Sequence, residues 1–480
     1  MDRTVPEPRP AGPRCELGMV GLGVMGRNLL LNMAGHGFPV AGCDLDPAKL
    51  EALAREGAGL DVAGAVDLPA LVAMLRAPRA VMLLVPAGAP VDAAIAGLVP
   101  LLAPGDLIID GGNSHYLDTD RRAAALAAQG LHFLGLGVSG GEEGARRGPS
   151  LMPGGPLEAY QRIRPVLEAV AAQAGGEPCV TWLGPGSAGH FVKMVHNGIE
   201  YALMELIAEA YDLMRRGLGL DNPELERTFQ AWSRGGLGGY LMEITARIFA
   251  LRDPDSGGQL VDAVLGVARQ KGTGMWTTVA AMELQVPAPT IDSAVAQRDL
   301  SALPGQRARA AVALPRAIPR HGGDRGALLL DLEQALQAGT LLAFAQGMAV
   351  LGAASARFGY QLDLAAVARI WRGGCIIRTA LLEDIRAAYG REPALDNLLL
   401  DPELSRMVLA REAGLRRVAA AGALLGTPMP GLMSALAYLD SYRSAWLPAN
   451  LIQAQRDCFG AHTYERVDRP GSFHTQWEQE

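Results

Sequence analysis

From Cys15 to about Gly186 short apolar runs alternate with helical segments, and after Gly189 strand signals nearly vanish. The candidate strands are Glu16 to Val20, Pro39 to Cys43, Ala80 to Val85, Asp106 to Asp110 and His132 to Leu136, each ending in a Gly, Asp or Pro loop. This alternation is the pattern of βαβ units. It predicts a Rossmann-type, doubly wound α/β domain: a mostly parallel sheet, helices on both faces and a site at the carboxyl ends of the strands. The Ala/Leu-rich helical patterns that follow, to about Tyr442, predict a large all-α domain. A chain of 480 residues is too long for one ordinary core. The expected division is a disordered tail over 1–14, an α/β domain over 15–187, an all-helical domain over 188–446 and a terminal arm over 447–480.

The helical part looks duplicated. Leu220 to Gly236 echoes Leu362 to Gly374, each with a Trp (Trp232, Trp371) before a Gly pair, and the two glycines lie 138 residues apart (374 − 236). Each segment follows a long helix. The second of these, around Leu332 to Phe358, contains neither lysine nor histidine, so it reads as a structural copy without chemistry.

The net charge of −7 and the scattered arginines argue against nucleic acid as the main partner. Cys15, Cys43, Cys179, Cys375 and Cys458 show no CxxC pairing or metal-ligand spacing, so they read as reduced thiols of a cytoplasmic protein. Residues 1–14 have no apolar core of the kind a signal peptide or anchor needs. Once Gly and Pro interruptions are counted, no uncharged apolar run reaches the roughly 18 residues of a spanning helix.

Gly21-Leu22-Gly23-Val24-Met25-Gly26 follows the first apolar run and opens a helical pattern. In that context the first Gly makes a tight turn, the second lets backbone approach a pyrophosphate and the third packs helix against strand. Asp44 stands 18 residues after the third glycine (44 − 26), at the end of the second strand. An unpaired carboxylate there accepts hydrogen bonds from ribose hydroxyls and repels a 2′-phosphate, which favours NAD. Asp44 or Asp46 is alternatively a cap for the helix starting at Pro47. Lys49, beyond that cap, keeps NADP open.

Only three of the 43 basic residues are lysine: Lys49, Lys193 and Lys271. An ammonium can lose its proton near neutral pH and a guanidinium cannot, so in an arginine-rich chain these lysines are chemical suspects. Lys193, His196, Asn197 and Glu200 fall at i, i+3, i+4 and i+7, on one helix face. Their neighbours Phe191, Val192, Met194, Val195 and Ile199 are apolar, and a buried polar stripe is costly unless it serves a site. Three further segments join them: Asp110 to Ser114, with Asn113; Gly137 to Gly144, in which the amides of Ser139, Gly140 and Gly141 suit a carboxylate; and Gln270 to Trp276. Lys271, Thr273 and Arg298 suit a phosphate.

Together with Ile370 to Arg378 (IWRGGCIIR) and Pro448 to Tyr464, these motifs resemble the 6-phosphogluconate dehydrogenase family, and the resemblance runs from Gly18 to about Trp477. It implies NAD(P)-dependent oxidative decarboxylation of 6-phosphogluconate to ribulose 5-phosphate in the pentose phosphate pathway. Lys193 would be the general base and Glu200 the general acid, with no metal. The cofactor would be lined by the glycine loop, Asp44-Leu45-Asp46, Val85-Pro86-Ala87 and Asn113. Asn113, His196 and Asn197 would orient the sugar acid, and Tyr201, Lys271, Thr273, Arg298 and Arg456 would hold its phosphate. A homodimer is implied in which Arg456 and His462 complete the partner's site. Three departures from the family's NADP-dependent pattern point to NAD: Asp44-Leu45-Asp46 stands for Asn-Arg-Thr, Val85-Pro86-Ala87 for Val-Lys-Ala, and the chain stops shortly after Trp477. The competing readings are a β-hydroxyacid dehydrogenase for a short unphosphorylated acid, which would not need Lys271, Arg298, Arg456 or His462, and a catalytically silent NAD-binding regulator, against which Lys193 and Glu200 both count.

Overall fold

In the computed structural model, which describes residues 14–317 and 319–477, the apolar runs of the first part become one seven-stranded sheet. The expected tail over 1–14 lies, apart from Arg14, outside the described residues. The strands are β1 (Leu17–Val20), β2 (Val40–Cys43), β3 (Val62–Ala65), β4 (Ala80–Leu83), β5 (Leu107–Asp110), β6 (His132–Ser139) and β7 (Ser150–Gly154). Their order is β3-β2-β1-β4-β5-β6-β7, all parallel except β7, which pairs antiparallel with β6. The chain reverses direction across the sheet between β1 and β4, the place where doubly wound sheets open a crevice for a dinucleotide.

Two of these strands were not expected from the sequence, and a third is longer than expected. The β3 run Val62-Ala-Gly-Ala65 is short, half-exposed and carries a glycine, so it lacks an apolar signature. In β7, Pro153 breaks the pattern, but β6 is its one neighbouring strand in the sheet; on its other side single backbone contacts to Cys179, Val180, Leu183 and Gly374 replace a ladder, and there Pro153 only has to accept, from the Leu183 amide. Because β7 extends the pairing, β6 runs on to Ser139, which lies opposite Ser150. Ser139 is therefore a strand residue, and the turn starts only at Gly140.

The sheet is flanked by α1 (Val24–Gly35), α2 (Pro47–Glu56), α3 (Leu68–Ala73), α4 (Ala89–Leu98), α5 (Tyr116–Ala127), α6 (Gly141–Arg147) and α7 (Leu157–Val170). Caps set their starts. Asp46 accepts the amide of Ala48 ahead of Pro47, and Asp67 accepts that of Ala70. A small hairpin, β8 (Gln173–Ala174) and β9 (Glu177–Pro178), leads to the helical part.

That part begins with α8 (Ala188–Asp212), followed by α9 (Asn222–Ser233), α10 (Tyr240–Ala250), α11 (Leu260–Ala263), α12 (Thr273–Glu283), α13 (Pro289–Ser301) and α14 (Pro304–Ala313). The second half comprises α15 (Arg325–Phe358), α16 (Leu364–Ile370), α17 (Leu381–Arg391), α18 (Pro402–Leu425) and α19 (Pro430–Tyr442). The repeat is visible in the local chemistry. After α8 and a π-helical turn the chain stops at Gly219, and α15 stops at Gly359, both in the left-handed conformation that glycine adopts freely. An aspartate then caps the next helix, Asp221 for α9 and Asp363 for α16, and Trp232 and Trp371 both end up buried.

Helix α15 is, contrary to the sequence reading, long and apolar enough to cross a membrane, but 72% of its most apolar window is buried inside the protein, as befits a core helix. The chain ends in an arm formed by α20 (Ala449–Gly460) and the hairpin β10 (Tyr464–Glu465) and β11 (Ser472–Phe473). Asp457 holds the arm together: its buried carboxylate accepts hydrogen bonds from the amides of Thr463 and Thr475, the His474 ring and the Trp477 indole.

Candidate active site

The glycine loop between β1 and α1 has the shape a pyrophosphate requires. Gly21 has φ of +96°, and a Cβ there would lie 2.5 Å from the Leu84 carbonyl; a Cβ on Gly26 would lie 1.9 Å from the Gly21 carbonyl. Around Gly23, by contrast, a Cβ would meet nothing within 4 Å, so the backbone borders open space at the start of α1, whose first amides have no side-chain cap. A dinucleotide phosphate fits this cradle. Val24 is half-exposed along the same rim, and Met25 packs on the sheet core.

Asp44 lies at the end of β2, as expected, but it is not unpaired. One carboxylate oxygen accepts the Leu22 amide at 2.7 Å and the other the Asp46 amide at 3.0 Å, while Lys49 Nζ approaches both, at 3.2 and 3.3 Å. Burial raises the proton affinity of Asp44, but these donors outweigh it and hold the carboxyl below its ordinary range. Asp44 is therefore not the lone negative charge expected from the sequence: the folded loop presents a carboxylate already paired with an ammonium. Leu45 beside it is fully exposed, and Asp46 is the cap of α2. Val85-Pro86-Ala87 forms the loop after β4, ending at Gly88, where α4 is capped.

Helix α8 brings the polar stripe to the other side of the crevice. It crosses β6 so closely that a Cβ on Gly137 would lie 2.5 Å from the Cβ of Lys193. Lys193 is 5% exposed and Glu200 keeps 21% of its side-chain surface. Burial lowers the proton affinity of Lys193, which Glu200 and Cys375 only partly restore; burial raises that of Glu200, against the pull of Lys193 and Arg298. The two shifts run in opposite directions, each disfavouring the charged form. Burial, reinforced by Lys193, also holds His196 well below the usual imidazole range, so His196 is neutral and its 3.9 Å approach to Glu200 is not an ion pair.

A neutral His196 bridges two loops. Its Nδ1 lies 3.1 Å from Asn197 Oδ1, which can only accept, so the ring proton sits on Nδ1 and Nε2 faces the Ser139 hydroxyl at 3.3 Å. Asn197 Nδ2 then donates to Thr273 Oγ1 at 3.2 Å. The chain Ser139–His196–Asn197–Thr273 links the Gly140-Gly141 turn to the start of α12. The guanidinium carbon of Arg298 lies over the Tyr201 ring, 3.8 Å from its centroid, and Lys271 is exposed on the loop before Thr273. Asn113 is exposed in the loop after β5.

Arg456 and His462 stand apart from these groups. Arg456 donates to Gln453 and His462 packs edge-on against Phe459, both within the arm. No hydrogen bond among the described residues joins either to Lys271, Thr273 or Arg298.

Other residues of the site escaped the sequence reading. Trp371, fully buried, meets the His196 ring edge-on, and Cys375 lies close enough to Lys193 to influence its charge. The motif carrying them was recognised, but nothing in its spacing indicated that Gly374 offers its carbonyl to the Ser150 amide at 2.8 Å, or that a Cβ on Gly140 would lie 2.6 Å from that same carbonyl. His190, one turn before Lys193, donates from Nε2 to the Asp110 carbonyl at 3.0 Å and receives the Thr119 hydroxyl on Nδ1 at 2.6 Å.

Known proteins match the chain over the same two parts. Residues 16–184 match the NAD binding domain of 6-phosphogluconate dehydrogenase, and residues 189–477 match the 6-phosphogluconate dehydrogenase C-terminal domain. A Bacillus subtilis protein named 6-phosphogluconate dehydrogenase, NADP(+)-dependent, decarboxylating is 48% identical over 96% of this chain and 99% of its own. A decarboxylating 6-phosphogluconate dehydrogenase of Synechococcus elongatus is 50% identical over 96% of this chain and 99% of its own. The solved structure of Plasmodium falciparum 6-phosphogluconate dehydrogenase, studied in apo form and in complex with its cofactor NADP+ and with its substrate, superposes with a TM-score of 0.93 at 40% identity, covering 96% of this chain and all of that one. The chain belongs to the 6-phosphogluconate dehydrogenase family.

Proposed function

We propose that the protein oxidises 6-phospho-D-gluconate at C3 and decarboxylates it to D-ribulose 5-phosphate and CO2, using NAD(P) with NAD preferred. The observation that carries this reading is the polar stripe of α8, on which a buried lysine has its proton affinity lowered by burial and, two turns on, a carboxyl has its own raised by burial. A base and an acid of those kinds are what the two halves of the reaction need.

The nicotinamide of a dinucleotide held by Gly21–Gly26, Asp44 and Val85–Ala87 supplies the hydride acceptor. Lys193 takes the proton of the 3-hydroxyl as C3 becomes a ketone. The carboxylate is then β to a carbonyl; its C–C bond breaks, CO2 leaves and the electron pair passes into an enediol whose oxygen receives the proton back from Lys193. Glu200 finally protonates the carbon that carried the carboxylate while the enediol hydroxyl returns its proton to Lys193, which leaves the ketone, a protonated Lys193 and an ionised Glu200. The Ser139–Gly141 segment faces the carboxylate, and Thr273, Tyr201, Arg298 and Lys271 hold the phosphate, with His196 and Asn197 fixing the hydroxyls between.

The active form in this reading is a homodimer, in which the arm over 447–480 delivers Arg456 and His462 to the partner's phosphate site. Support comes from the arm itself: among the described residues its side-chain hydrogen bonds stay within it, and Leu451, Ile452 and Phe459 of α20 are exposed, together with Trp446 just before it. The cysteines, all free and four of them buried, suit a reducing cytoplasm. Steady-state turnover of 6-phosphogluconate with NAD and NADP tests the whole reading; no turnover with either cofactor overturns it, and equal kcat/KM or an NADP preference overturns the cofactor assignment.

A further inference from the structure

Arg122, on α5, belongs to none of the motifs that reveal the site, yet it is almost fully buried and spends its whole guanidinium on two of the site's loops. On one side Nε donates to Asp92 Oδ1 at 2.8 Å, and Nη2 donates to Asp92 Oδ2 at 3.2 Å and to the Gly88 carbonyl at 3.0 Å. Gly88 and Asp92 lie at the start of α4, at the end of the Val85–Gly88 loop. On the other side Nη1 donates to Ser114 Oγ at 3.2 Å and Asp110 Oδ2 at 3.4 Å. Those two residues bracket Asn113. Asp110 in turn fixes Gly112 by its amide, at 3.0 Å, and His190 on α8 through its own carbonyl. His115, next after Ser114, meets Trp276 of α12 edge-on, with ring centroids 4.9 Å apart.

We infer that Arg122 is a positioning residue: it sets the spacing between the Val85–Gly88 loop and the Asn113 loop, so that dinucleotide and sugar acid are held in register. The inference rests on the functional reading given above. Stability alone is a poor reason for this arrangement, because a buried ion pair seldom outperforms apolar packing of the same volume. What a guanidinium offers and no apolar group can is a rigid planar fork of five donors that reaches two carboxylates and a carbonyl at once. A lysine carries the charge but not the fork. The groups assigned to the substrate's carboxylate and phosphate, Ser139–Gly141, Thr273 and Arg298, make no hydrogen bond to Arg122 among the described residues, so sugar-acid binding, which meets Arg122 only through the Asn113 loop, should change less than dinucleotide binding.

The test compares wild type, Arg122→Lys and Asp92→Asn. Asp92 is 41% exposed at its side chain, so Asp92→Asn loosens the Val85–Gly88 end while leaving the buried Asp110–Arg122 pair intact, and it serves if Arg122→Lys does not fold. Arg122→Lys is expected to raise the KM for the dinucleotide and lower kcat by about tenfold each, and Asp92→Asn to raise that KM by about threefold to tenfold. The dissociation constant for 6-phosphogluconate alone, by calorimetry, should stay within about twofold in Asp92→Asn, which leaves the Asn113 loop alone, and should change less than dinucleotide affinity in Arg122→Lys. If wild type turns over and the folded variants keep dinucleotide KM and kcat within about twofold, with only the melting temperature lowered, Arg122 is merely structural and the inference is overturned. If wild type does not turn over 6-phosphogluconate, the functional reading fails by itself. Dinucleotide affinity measured by fluorescence then decides the loop-spacing role: weaker binding in Asp92→Asn sustains it, and unchanged binding overturns it.

Discussion

The indole of Trp371 meets the imidazole of His196 edge-on, with ring centroids 5.5 Å apart and planes at 76°. This contact joins the last residues of the helical repeat to the centre of the site, and it sits where the loop after α16 is clamped to the sheet, Ser150 Oγ donating to the Ile370 carbonyl at 2.8 Å. The Trp371 indole N–H has no hydrogen-bond partner among the described residues, so its contribution lies in shape and ring contact.

Trp371→Phe should therefore cost little stability, below about 1.5 kcal/mol, and leave kcat within about threefold, because an aromatic edge remains. Trp371→Leu should cost about 2–4 kcal/mol and raise the KM for 6-phosphogluconate as His196 loses its backing. Denaturant titration and steady-state kinetics on both variants check this, and equal kinetic behaviour of the two would show that ring contact with His196 does not matter.

The opposed shifts on α8 set the pH profile. Burial lowers the proton affinity of Lys193, so the rate should rise with pH as the amine loses its proton, below the usual lysine range. Burial raises that of Glu200, so the rate should fall again once this carboxyl ionises, above the usual carboxylate range. Lys193→Arg keeps the charge but cannot serve as base at neutral pH, and should lose roughly 10³-fold in kcat with cofactor binding intact. Glu200→Gln should be gentler on hydride transfer than on release of the ketone, and should remove the alkaline limb; an unaltered limb would assign it to another group.

Cofactor choice should depend on Lys49 as much as on Asp44. A 2′-phosphate beside a lone carboxylate loses about 1–3 kcal/mol, about ten- to a hundredfold in specificity, but Lys49 offsets part of that repulsion. Lys49→Ala should widen the preference for NAD, and Asp44→Asn with Leu45→Arg should narrow it. The ratio of kcat/KM values for the two cofactors decides, and a Lys49→Ala variant that discriminates no better than wild type would show the ion pair to be irrelevant.

If the arm completes the partner's site, Arg456→Ala and Lys193→Arg homodimers should each be nearly inactive. A heterodimer of the two, purified with two tags, should recover towards about half of wild-type activity, because one of its two sites has both residues intact. A heterodimer as inactive as its parents would mean that Arg456 serves its own chain.

By itself the sequence determined whatever depends on local periodicity and backbone chemistry. The turn Gly21–Gly26 is legible because only glycine meets its contacts at positions 21 and 26, and the face of Lys193, His196, Asn197 and Glu200 is legible because i, i+3, i+4 and i+7 share a side of any α-helix. The helical repeat could be read because the same stop, cap and tryptophan recur. Tertiary structure alone decided the rest. Lys49 pairs with Asp44 because the turn capped by Asp46 brings the start of α2 beside the end of β2; Pro153 is accepted because on the outer side of β7 its carbonyl meets the Leu183 amide and no strand needs its missing donor; and Ser139 stays in its strand because Ser150 pairs with it. The partnerships of Trp371 with His196 and of Arg122 with Asp92 and Asp110 join residues from separate elements, and no short-range spacing encodes them. Their cause is packing: helix α8 lies close on β6, buried polar groups must find partners, and the nearest ones come from wherever the fold brings the chain past.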